Sequence, residues 1–160
     1  MADPIRVNGN LYSWGSIVFK VDGERFTGFT SINYSDKRER VYGYGMGRHH
    51  APIGSSSGKY SPENVKVTGY KHAVQALRKA LAAKAGDNKS YGNIRFPGVV
   101  QYIEPDEEEI TIELDRLVWV ANNAADEENP DPLKEDFELQ PMLIRRNGLQ
   151  LFDGTGDTQP

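Results

Sequence analysis

Apolar positions recur with a period of two through most of this chain and with a period of three to four in a single stretch. Residues 12–22, YSWGSIVFKVD, place Ile17, Phe19 and Val21 on one face and Trp14, Ser16, Val18 and Lys20 on the other, which predicts a strand. Asp22-Gly23 then supplies a two-residue hairpin signal, and residues 26–34, FTGFTSINY, are the expected returning strand. Gly28 marks a bulge or bend within it. Residues 38–44, RERVYGY, are expected to continue that strand or pair with it. Residues 64–70, NVKVTGY, alternate again, with Val65 and Val67 sharing a face.

The period changes at Tyr70. In YKHAVQALRKALAAKA, residues 70–85, Tyr70, Val74, Leu77 and Leu81 fall along one helical stripe, and Gly86 stands where a C-terminal cap belongs. A helix apolar on one stripe needs a surface to cover, and a sheet face is the expected one. Two further strands follow, 94–103 and 110–121, joined by the acidic run EPDEEE. Beyond Leu117 the sequence LVWVA is apolar at every position, so this end is expected to be covered on both faces. Residues 122–133, NNAADEENPDPL, make a polar loop. Residues 137–144, FELQPMLI, predict one strand in which Pro141 occupies an edge or bulge, and Asn147-Gly148 predicts a closing hairpin. About seven strands surround one helix without the regular alternation of a parallel sheet. The expected class is mainly β: an antiparallel β-sandwich or partial barrel with one flanking α-helix.

A chain of 160 residues suits one folded unit. The expected organisation is an N-terminal arm over 1–10, a β domain over 11–152 carrying an extended loop at 42–62, and a disordered tail over 153–160. The chain has no cysteine, which removes disulfides, thiolate metal sites and cysteine nucleophiles. Its net charge of −4 runs against tight neutralisation of nucleic-acid phosphates, so any DNA contact is expected to be loose. The opening MADPIRVNGN lacks the basic start and apolar run of a signal peptide, and no apolar stretch approaches the ~20 residues of a membrane helix. Synthesis in the cytoplasm without membrane insertion is the expectation.

One region invites a chemical reading. In VYGYGMGRHHAPIGSSSGKYSPENV, residues 41–65, the run GSSSGKY resembles a phosphate-binding loop. Such a loop needs four residues between its glycines, a Ser or Thr after the Lys, and a helix beyond it. Here three residues intervene, Tyr60 follows Lys59, and a strand comes next. The adjacent His49 and His50 point to opposite sides of an extended chain, and His72 sits on the helix surface, so no metal site is assembled. No G-x-S-x-G nucleophile elbow is present, and the carboxylates of EPDEEE share one solvated turn. Neither catalytic residues nor a cofactor are expected. What remains is a glycine-rich loop carrying Tyr42, Tyr44, Met46, Arg48, Ile53 and Tyr60, an expected interface with other subunits.

The order of these elements resembles the tail tube proteins of tailed bacteriophages and the related tubes of contractile injection systems. The resemblance rests on four features: YSWGSIVFKVDGERFTGFTSINY with its Asp-Gly turn; the glycine-rich VYGYGMGRHHAPIGSSSGKY; the lone helix YKHAVQALRKAL; and the late strands from LDRLVWVANN to MLIRRNG. It covers about residues 11–152. The resemblance implies a structural virion protein, made in the host cytoplasm, that self-assembles into hexameric rings stacked as a tube for DNA ejection. It also implies tail sheath, tape-measure and baseplate hub proteins as partners, with DNA present only in transit. A baseplate or tube-initiating protein on the same fold is one alternative, and a β-sandwich ligand-binding module is another.

Overall fold

The computed structural model describes residues 14, 17–46, 51–56, 58–104 and 108–152. Its organising element is a nine-stranded antiparallel sheet that curls on itself. Strand β1 (Ile17–Val21) turns through Asp22-Gly23, both with positive φ, into β2 (Glu24–Phe26). Two residues later the chain becomes β3 (Phe29–Asn33), at the opposite end of the same sheet. The expected returning strand over 26–34 is therefore two strands, broken where Gly28 adopts φ 93°. A Cβ there would lie 2.7 Å from that of Ala73, so the bend and the close approach of the helix both require glycine.

Residues 36–62 form a separate extension described below. β8 (Val65–Tyr70) then pairs with β3 and leads straight into helix α1 (Lys71–Ala85). The helix has no side-chain N-cap. Its leading amide groups bond elsewhere: Tyr70 N–H donates to Gly28 O at 3.0 Å and Lys71 N–H to Leu133 O at 3.3 Å. Gly86 closes it in the left-handed conformation. Val74, Leu77 and Leu81 are fully buried, as their spacing requires, while His72 faces solvent.

A 3₁₀ turn (Tyr91–Asn93) precedes β9 (Phe96–Tyr102), which pairs with β1 on one side and with β10 (Ile110–Asn123) on the other. β10 is the spine. Its first half pairs with β12 (Leu143–Arg146) and its second half with β11 (Lys134–Gln140). The single strand expected over 137–144 is thus two, because buried Pro141 interrupts the ladder between them. β13 (Leu149–Gln150) returns through Asn147-Gly148 and pairs with β12. β10 bulges between Leu114 and Leu117, where Arg116 has φ 53°, and again between Trp119 and Ala121. The first bulge inverts the alternation, so the buried face passes from Ile112 and Leu114 to Leu117 and Trp119 and leaves Val120 47% exposed. Full covering of the LVWVA end is not what the fold delivers.

The core brings both ends of the curled sheet together. Phe19 of β1 meets Phe29 of β3 edge-on at 5.4 Å, Phe29 meets Phe137 of β11 at 6.0 Å, and Phe137 stacks on Trp119 at 4.3 Å. With the helix laid across these elements, this is the expected antiparallel partial barrel with one flanking helix.

Candidate functional site

The glycine-rich segment is a two-stranded arm. β4 (Asp36–Glu39) pairs with β7 (Lys59–Pro62), and β5 (Tyr42–Gly43) with β6 (Gly54–Ser55). Residues 38–44 do not pair with the strand before them; their partners lie on the return limb of the arm. Main-chain bonds extend the pairing, from Ile53 N–H to Gly43 O and from Ser56 N–H to Val41 O, both 2.9 Å. Two of the serines that imitate a phosphate loop, Ser55 and Ser56, are used inside the arm. Arg40 donates through Nε to Ser56 O at 2.9 Å and through Nη2 to Ser55 Oγ at 2.7 Å, and Ser56 Oγ accepts from Val41 N–H at 3.1 Å. Lys59 lies on a strand, with no helix beyond it to complete an anion cradle.

The arm carries its apolar groups outward. Met46 is fully exposed, Ile53 is 79% exposed, and Tyr42 and Tyr44 are exposed by nearly two thirds. Val41, absent from the sequence-based set, belongs with them at 71%. Tyr42 pairs across the arm with Ser55, and Ile53 lies against Gly45, so these residues share one short stretch. Arg48, His49 and His50 lie outside the described residues. Tyr60 stands apart: it is half-buried at the root of the arm.

That root is polar, with its carboxylate enclosed and Arg146 partly open to solvent. Asp36, its side chain 5% exposed, accepts from Arg146 Nη2 at 3.0 Å and from the Tyr60 hydroxyl at 2.9 Å. The Tyr60 oxygen in turn accepts from Ile144 N–H at 3.1 Å. Arg146 lies 5.9 Å from the Tyr34 ring, and the Tyr34 and Tyr102 hydroxyls are 2.7 Å apart. Burial, reinforced by Tyr102, pushes the Tyr34 phenol well above its ordinary range. Burial also raises Tyr60, and the bond to Asp36 raises Arg146. No sequence signal links Asp36 to Arg146, because β4 and β12 meet only through the fold.

Elsewhere, Arg78 of the helix forms a fork with Glu135, donates to Asn122 at 2.7 Å, and lies over Tyr91 and Trp119. This ties helix to sheet. An open groove of about 250 Å³ lies beside β1 to β3, lined by Ile17, Phe26, Phe29 and Ile32, with Arg25 at its edge. Among the described residues no group of three or more acidic or histidine side chains is arranged to hold a metal, and no helix is long and apolar enough to cross a membrane.

No family model matches the sequence, and neither does any curated protein. Solved structures do match the fold. Hcp1 from Flavobacterium johnsoniae is 13% identical, over 86% of this chain and 98% of that one, with a TM-score of 0.54. A chain in the structure of the anti-feeding prophage tube-terminating cap is 11% identical, over 90% of this chain and 95% of that one, with a TM-score of 0.57. A chain in the virion of a native gene transfer agent particle is 14% identical, over 85% and 98%, with a TM-score of 0.51. At such identities the kinship lies in the backbone path and not in particular side chains. The fold of this chain is the tail-tube-like fold found in Hcp1 and in components of contractile injection particles.

Proposed function

We propose that this chain is a structural, non-enzymatic virion subunit that assembles with copies of itself into hexameric rings stacked as a phage tail tube, through which DNA leaves. The carrying observation is the arm: Val41, Tyr42, Tyr44, Met46 and Ile53 stand together on a paired extension with most of their side-chain surface exposed. Apolar side chains concentrated on a projection gain free energy only when a neighbour covers them. Arg48 joins the proposed interface by its place in the sequence, and Tyr60 supports it from the root. Sixfold order is favoured because a baseplate chain of the anti-feeding prophage, with a TM-score of 0.56, comes from a sixfold-symmetrised assembly. The net charge of −4 suits a conduit whose wall releases phosphates. Sheath, tape-measure and baseplate hub proteins are the proposed partners at its outer wall, lumen and end.

A second reading, a baseplate or tube-end component, is favoured by the likeness to that baseplate chain and to the tube-terminating cap. Negative-stain electron microscopy of the purified chain separates the two. Long tubes of uniform bore support the tube subunit, single or paired rings support the end component, and a strict monomer at high concentration overturns both. Deleting residues 47–57 is expected to abolish assembly; rings that form unchanged would refute the role given to the arm.

A further inference from the structure

The arm meets the partial barrel through two short covalent joints, Tyr34-Ser35 on one limb and Glu63-Asn64 on the other. Backbone pairing within the arm holds its strands to each other but not to the barrel. Among the described residues, a main-chain bond from Glu63 N–H to Ser35 O, at 2.9 Å, closes the joint itself. A hairpin tethered in this way would swing about its base.

The side chains at the root oppose that motion. Asp36 uses its two oxygens in different directions, Oδ1 towards Arg146 of β12 and Oδ2 towards Tyr60 on the opposite limb of the arm. Tyr60 completes the circuit by accepting from the Ile144 main chain, also on β12. Both limbs are thereby tied to one barrel strand, and a single carboxylate hidden from solvent links them to each other. A second tie lies outside it, where the Arg38 guanidinium sits 4.4 Å from the Phe152 ring. The exposed pairs of Lys37 with Glu39 and Glu63 lie in water, where such contacts contribute little. An enclosed carboxylate with charge-assisted donors is a different case, since removing one partner strands the others.

We propose that Asp36 is a positioning residue that fixes the direction in which the arm leaves the barrel before any neighbour is met. The inference rests on the reading of the arm as an assembly element, because a fixed direction lowers the ordering cost of docking against another copy. Gly43, Gly45 and Gly54 then act within a braced element, and the aim of the element comes from its root.

The absence of cysteine allows a clean test. Spin labels at Ile53→Cys on the arm and Lys66→Cys on β8 of the full chain, held as dissociated subunits, report the spread of arm-to-barrel distances by double electron–electron resonance. The parent is expected to give one narrow distribution. Asp36→Asn and Arg146→Met are each expected to widen it at least about twofold while far-UV circular dichroism is retained. Either folded variant suffices, and a folded variant with the parent's width overturns the proposal. Electron microscopy of the unlabelled Asp36→Asn chain separates this failure from failure of the functional reading. A widened distribution with tubes formed as readily as by the parent supports positioning by Asp36 and sinks the arm as the assembly element.

Discussion

Leu77 and Met46 are both large apolar residues, yet the fold treats them in opposite ways. Leu77 is wholly enclosed between helix and sheet, in a cluster that includes Val74, Leu81, Phe96, Leu114 and Phe137. Met46 lies on the arm and is fully exposed. The barrel is held by burial; the arm is held by hydrogen bonds along its length and by a carboxylate at its base. The buried core that stabilises the subunit and the arm proposed for assembly are thus separate parts of the molecule, and substitutions should distinguish them.

The largest effect is expected at the barrel. Leu77→Ala leaves a cavity in the enclosed cluster and should lower unfolding free energy by about 2–5 kcal/mol in chemical denaturation. A loss below about 1 kcal/mol would show that the helix is not part of the stabilising core. Next comes the bend between β2 and β3. Gly28→Ala places a methyl group 2.7 Å from Ala73 Cβ at φ 93°, and a cost of about 1–3 kcal/mol follows from strain and collision. Wild-type stability would mean that the helix and this corner are not pressed together. The smallest change in stability is expected on the arm. Met46→Ser combined with Ile53→Ser should leave the subunit within about 0.5 kcal/mol of the parent while sedimentation shows assembly weakened. A large loss of subunit stability would erase the distinction between the two regions.

The two regions also differ in how far their sequences disclose them. Alternation in VKVTG and ITIEL, the stripe through Val74, Leu77 and Leu81, and the turns at Asp22-Gly23 and Asn147-Gly148 all express themselves locally. Period and turn chemistry therefore suffice to find most of the barrel. The arm is less legible because its outer ladder is two residues long on each side and rich in glycine, which carries no strand preference. Its order comes from Arg40 reaching Ser55 and Ser56, a pairing without sequence periodicity. Residues 137–144 mislead for another reason: Pro141 stands between two ladders on different halves of β10, and nothing local tells a bulge from a strand end. Val120 defeats the pattern because the bulge at Arg116 inverts the alternation ahead of it and turns Val120 outward. The root of the arm is illegible altogether, since Asp36, Tyr60 and Arg146 come from three distant segments.

The pairing of β1 with β9 has a consequence for how the chain is made. Ile17 finds its partner in Tyr102, and β2 and β3, joined by two residues, seal opposite ends of the sheet. During synthesis the first hairpin emerges with Phe19 and Val21 unshielded and waits until β8 to β11 have left the ribosome. Closure is a late, non-local event, and such topologies fold slowly. Chains still in that waiting state expose strand edges to one another, so the yield of correctly folded subunits is set in part by how quickly each new chain closes its own sheet.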